Sequence, residues 1–166
     1  MYNFYNLNPN HSSPETSNHV TLDINLPLHN DTFYELFNIY ANHPTEENQD
    51  KLGSYLNTIN YLIGFFPSDN SAENSTQITI SKYDDLHLLI CSTKEREVYL
   101  PAFTTTTELQ NWCTESINTI SVPAEWLWKF VLSQNNFAGI VINPGSIGWT
   151  INYDHIRSLL DDIIHD

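Results

Sequence analysis

The side chains of this chain whose types suit chemistry fall into four sets. Ser146 ends the turn sequence Asn143-Pro144-Gly145-Ser146, with Trp149 three residues further on. Cys113 stands between Trp112 and Thr114. Acids and histidine come close together twice, as Asp84-Asp85 with His87 and as Asp161-Asp162 with His165. Thr104 to Thr107 form a run of hydroxyls just after Pro101-Ala102-Phe103. A serine nucleophile on a strained elbow needs Gly-x-Ser-x-Gly, but Pro144 stands two residues before Ser146. An activated thiolate needs a cation or histidine beside it, and Cys113 has neither in sequence. His165 lies one helical turn after Asp161, which suits a metal, but the end of a chain frays. With five glycines in all, neither nucleotide-binding fingerprint can be written. Catalysis would require folding to gather distant groups such as Asp84, His87 and Ser146. The expectation is a protein that is not an enzyme and uses no cofactor or metal.

Binding is the other chemistry available. Backbone N–H groups around Gly145 and Ser146 suit an anion-holding nest, although turn geometry alone accounts for asparagine, proline and glycine at these positions. The expected turn is type II, with positive φ at Gly145. Trp149, beside the turn, is an interface anchor by type. Phe103, Thr104 and Thr105 lead into a helix N-terminus that offers donors to an anion, or simply caps itself. Trp128 falls opposite the stripe containing Trp126 on its helix, and is read as an exposed tryptophan in need of a partner. The candidate surface is thus Asn143, Gly145, Ser146, Trp149, Phe103, Thr104, Thr105 and Trp128.

Charge narrows the partner. Twenty acidic residues against six Lys and Arg give a net charge of −14. Nucleic-acid phosphates and anionic membranes are repelled, so neither is expected as a partner. A protein partner is. One form of it is a basic toxin or nuclease, neutralised by this chain as an acidic immunity or inhibitor protein; steering by opposite charge speeds such association. The N-terminal region has no Lys or Arg before Lys51 and no long apolar run, so it reads as no signal peptide. No stretch has the length of a membrane span. Cys91 and Cys113, without paired spacing, read as reduced and buried, which suits the cytoplasm.

The positioning elements follow from hydropathy periods. Residues 1–29 read as a tail in which Val20 to Leu26 alternates as a half-buried strand at a sheet edge. Residues 30–166 read as one α+β domain, with an antiparallel or mixed sheet of about five to seven strands and helices packed on it. Thr32 with Glu35 has capping-box spacing ahead of Phe33, Leu36, Phe37 and Tyr40. Pro44 or Thr45 opens a second helix, whose stripe Leu52, Tyr55, Leu56 continues to Ile59 and Leu62. Tyr61 to Phe66 is a strand or buried connection, and Ser68 to Asn74 a loop. Ile78 and Ile80, Leu86 to Cys91, and Val98 to Leu100 look like an antiparallel meander turning at Tyr83-Asp84-Asp85. Thr105 and Glu108 have capping-box spacing before Leu109 and Trp112. Asn118 to Val122 is a strand, and Pro123 starts a helix lined by Trp126, Leu127, Phe130 and Val131. Gly139 to Ile142 and Trp149 to Ile151 form a hairpin, followed by a helix from about Tyr153.

Val98-Tyr99-Leu100-Pro101-Ala102-Phe103-Thr104, with Glu108-Leu109 and Trp112 after it, resembles a segment of the SseB (enhanced serine sensitivity) family's N-terminal domain. Val122-Pro123 before a helix and the strand from Gly139 into Asn143-Pro144-Gly145-Ser146 are similar to its next two segments, in the same order and spacing. The resemblance covers roughly Asn30 to Asp166. It implies an α+β fold and a regulatory or protein-binding module without an agreed catalytic residue or cofactor. Longer members carry a second domain after this one.

Overall fold

The computed structural model describes residues 3–4, 20–23, 28, 30–67, 77–80, 86–114 and 117–165. The expected tail over residues 5–19, the loop at Ser68 to Asn74, the turn at Tyr83-Asp84-Asp85 and the side chain of His87 lie outside the described residues.

Nine strands and five helices are described, in an α+β arrangement. The strands are β1 (Asn3–Phe4), β2 (Val20–Asp23), β3 (Asn60–Pro67), β4 (Gln77–Ile80), β5 (Leu86–Ser92), β6 (Val98–Ala102), β7 (Asn118–Pro123), β8 (Gly139–Ile142) and β9 (Trp149–Asn152). The helices are α1 (Phe33–Asn42), α2 (Glu46–Leu56), α3 (Thr106–Trp112), α4 (Ala124–Ser133) and α5 (Tyr153–His165). The main sheet runs β7-β3-β5-β6-β8-β9, with β1 paired to β5. Its pairs are antiparallel except β6 with β8, whose parallel register sets Leu100 opposite Ile140. Parallel neighbours need a long crossover, which α3, β7 and α4 supply.

Period-2 alternation on β3 divides the interior into two cores. Tyr61, Ile63 and Phe65 point to one side, where they join Phe33, Leu52, Leu56, Leu127, Trp128 and Ile156 from α1, α2, α4 and α5. Leu62 points to the other side, with Leu89, Phe103 and α3's Leu109, and with Cys113 just after α3. The large core holds four helices on the sheet; the small one holds α3.

Several expectations change on folding. Thr32 makes no side-chain cap; Asn30 instead accepts the Phe33 N–H through its backbone carbonyl. Thr45 does cap α2, accepting from the Asn48 N–H at 3.3 Å. That helix stops at Leu56, so Ile59 falls in the connection and Leu62 on β3, although both are buried. β4 pairs with β2 in a separate two-stranded sheet, not with β5, so the meander reduces to β5 and β6. Val20–Asp23 correspondingly finds its partner in β4, outside the main sheet.

Trp128 is the largest correction. It is completely buried, and its indole N–H donates to Asn57 Oδ1 at 2.8 Å. The Asn57 amide in turn donates to the Leu159 carbonyl, so one side chain at the end of α2 ties α4 to α5. Tyr61 lies 5.5 Å from Trp128, centroid to centroid. Because α4 packs against α5, β7 and β3, and Asn57 after α2 reaches Trp128, the side of the helix opposite the predicted stripe is inside as well. Trp126 is only half-buried, stacked on Phe130 with 6° between the ring planes.

Candidate functional site

The hairpin of β8 and β9 meets the start of α3 and the start of α1 in one polar cluster. Its centre is Asn143, which is fully buried and has a φ of 47°. Asparagine tolerates this left-handed conformation better than most residues. Positive φ therefore falls on Asn143 and on Gly148, at 59°, and not on Gly145 as a type II turn would demand. The Asn143 carbonyl accepts from the N–H groups of Ser146 at 3.0 Å and Gly148 at 2.9 Å, which closes the turn.

The Asn143 side chain looks away from that turn. Its Oδ1 accepts the Thr104 N–H at 2.9 Å, and its Nδ2 donates to Thr104 Oγ1 at 2.8 Å and to the Tyr34 hydroxyl at 3.2 Å. Thr104 is also fully buried, and its carbonyl accepts from Asn30 Nδ2 at 2.6 Å. Asn30 Nδ2 reaches the Asn60 carbonyl as well, at 2.9 Å, so the chain before α1 is fastened to β3. Phe103 is fully buried; its backbone exchanges two hydrogen bonds with Leu62, and its ring lies 5.6 Å from Trp112. Phe103 and Thr104 are thus interior residues and present no surface.

Glu108 forms the outer half of the cluster. One carboxylate oxygen accepts from the Tyr34 hydroxyl and the other from Ser146 Oγ at 2.6 Å. The Tyr34 hydroxyl is held above its ordinary pKa, first by burial and then by the hydrogen bond to Glu108. Thr105 caps α3 by accepting the Glu108 N–H at 3.1 Å. The capping-box spacing is therefore used in one direction only, because the carboxylate turns outward to α1 and the hairpin. Gly145 rests on Trp112: a Cβ built there stands 3.1 Å from Trp112 Cβ.

This arrangement disfavours an anion nest. The Ser146 N–H is used by Asn143, and the Glu108 carboxylate, a negative charge, lies against the Ser146 hydroxyl. Six of the eight sequence-derived candidates, Asn143, Gly145, Ser146, Phe103, Thr104 and Thr105, come together here. Trp149 opens β9 opposite Ile142, just after the turn, and is half-buried, with Phe37 at 5.4 Å and Tyr40 at 6.4 Å between ring centroids. Sequence reasoning missed Tyr34 and Asn30. No local pattern marks either residue, since both act on partners far along the chain.

Elsewhere, Cys91 and Cys113 are not joined in a disulfide, the first half-buried and the second buried. Burial pushes the Cys91 thiol up to about 12. Among the described residues no group of three or more His, Cys, Asp and Glu is placed to hold a metal ion; Asp84 and Asp85 lie outside them. No helix among them is long and apolar enough to cross a membrane.

Compared with known proteins, the chain matches a family model described as the SseB protein N-terminal domain, over residues 38–158. No curated protein and no solved structure matches it. The matched stretch carries Thr104, Glu108, Asn143, Ser146 and Trp149, while Asn30 and Tyr34 lie before it. Running from α1 into α5 over well over half of the chain, that match makes this protein a member of the SseB family, through its N-terminal domain.

Proposed function

We propose that this protein is a non-enzymatic, cytoplasmic interaction module that engages a protein partner through the ledge where the hairpin meets α1. The observation that carries the reading is the aromatic group Phe37, Tyr40 and Trp149, all three half-buried and in ring contact. Partly exposed aromatics on a rigid backing contribute large contact area at low entropic cost, as interface anchors do. The polar cluster beside them supports a scaffolding role over a catalytic one. Both Glu108 oxygens are engaged by hydroxyls, and Asn143 is engaged on both sides of its amide.

Capture of partners by the wild-type chain and by Trp149→Ala tests the reading. Retention of a specific protein by the first and its loss by the second supports it. Trp149→Ala that changes neither stability nor capture removes the ledge from the account.

A further inference from the structure

The short connection of His43 to Thr45 folds α2 back beside α1, and between them lies an open groove of about 580 Å³. Leu36 and Tyr55 give it an apolar floor, and Glu47, Asp50 and Lys51 rim it. Ile39 stands outside the groove's lining but beside it, since i and i+3 share a helix face and Ile39 follows Leu36 by three. It is 41% exposed, one of two large hydrophobic side chains so exposed among the described residues.

The two helices around the groove are acidic and solvated. Glu35, Glu46, Glu47 and Asp50 are exposed, and the only base on the two helices, Lys51, is paired with Glu47 at 2.6 Å. No ion pair among the described residues uses Asp50. With Lys51 offsetting Glu47, Asp50 is the charge left over on the rim, and an apolar strip beside it on two otherwise acidic helices suits an occupant that brings the opposite sign. The whole chain has the same bias, at −14.

We infer that the α1–α2 groove docks a segment of a partner protein that sets an aliphatic anchor, bordered by lysine or arginine, on Leu36, Ile39 and Tyr55. This deepens the interaction reading and rests on it, but uses the side of α1 turned to α2 instead of the Trp149 ledge. The anchor removes Ile39 from water, and a bordering cation faces Asp50. Such a site binds more weakly as salt rises, because the rim charges are exposed.

The test titrates isotope-labelled full chain with a synthetic amphipathic peptide of leucine and lysine at helical spacing, following backbone amide shifts. A leucine-free lysine peptide serves as comparison. The expected result is shift changes gathered at Leu36, Ile39, Asp50, Ser54 and Tyr55. Asp50→Lys and Ile39→Glu weaken binding at least tenfold, whereas Asp161→Lys, an equal charge change on exposed α5, does not. The lysine peptide binds at least tenfold more weakly. Shifts scattered over exposed acids, equal weakening by Asp161→Lys, or no binding each overturn the inference. So does a dimer of the free protein that Ile39→Glu dissociates, which assigns the strip to a second copy. A peptide that is ignored while Trp149-dependent capture persists refutes the groove alone and leaves the interaction reading standing.

Discussion

Asn143 and Thr104, 39 residues apart, are closed on each other by two hydrogen bonds, backbone N–H to Oδ1 at 2.9 Å and Nδ2 to Oγ1 at 2.8 Å. Both residues have no solvent exposure, so neither can exchange these partners for water. The pair joins the end of β8 to the chain leaving β6, and Asn143 N–H adds a third bond to the Ala102 carbonyl.

Replacing Asn143 by alanine leaves the Thr104 N–H buried and unpaired, and sets in the left-handed region a residue that tolerates it less well than asparagine. The expected loss is roughly 2–4 kcal/mol in urea unfolding. Asn143→Gly removes the hydrogen bonds but not the backbone freedom, so it should lose about 1 kcal/mol less. Equal losses in the two variants would show that φ contributes nothing.

The Glu108 carboxylate joins α3 to α1 and to the turn. Tyr34→Phe and Ser146→Ala each remove one hydroxyl donor and are expected to cost about 0.5–1.5 kcal/mol. In a Glu108→Ala background both costs should shrink, because the shared acceptor is gone. Undiminished costs would mean that the two hydroxyls act through other partners.

How much of this was readable before folding depends on the range of the interactions. The β8–β9 hairpin follows from the apolar run Ile140 to Ile142, a turn sequence and the alternation of Trp149 and Ile151, all within thirteen positions of one another. Thr105 as a cap is equally local. Trp128 was misplaced because a helical stripe shows which side is most apolar and says nothing about whether the other side is covered. Here Asn57 and Tyr61, both distant in sequence, cover it. The pairing of β4 with β2 instead of β5 is a choice between strands of similar pattern, which hydropathy cannot rank. Asn143 looked like a turn residue and is one, but its amide reaches Thr104 and Tyr34, which turn chemistry does not foretell.

Gly139 has a use that its position in a strand does not announce. A β-carbon there would sit 2.2 Å from the Ile151 carbonyl oxygen on β9. Gly139→Ala should therefore force the two strands apart and cost about 3 kcal/mol or more. A variant as stable as wild type would contradict the close approach.

Cys91 offers a reactivity test. A rise of its folded pKa from 9.0 to about 12 by burial reduces the thiolate present near neutral pH by roughly a thousandfold. In a Cys113→Ala background, disulfide-exchange labelling of the native protein should be slower than that of the unfolded chain by about that factor. The same shift has a stability consequence. A folded pKa above the unfolded one favours the fold fully below pH 9.0, and that contribution is lost as pH rises towards about 12. Tyr34, Tyr61 and Tyr153, all raised by burial above 10.0, act in the same direction at the upper end of that window. Urea midpoints should fall from about pH 9 upward, less steeply in Cys91→Ala; a flat profile to pH 11 would contradict the burial of these groups.

The interaction reading is tested most directly by affinity capture with wild-type and Trp149→Ala chains side by side, under conditions where circular dichroism shows both folded. The account predicts a specific protein retained by the wild type and reduced at least tenfold by the variant, since an interface anchor is worth about 2 kcal/mol or more. Equal retention by the two chains would contradict it, and would show that the ledge of Phe37, Tyr40 and Trp149 serves only to seat the hairpin on α1.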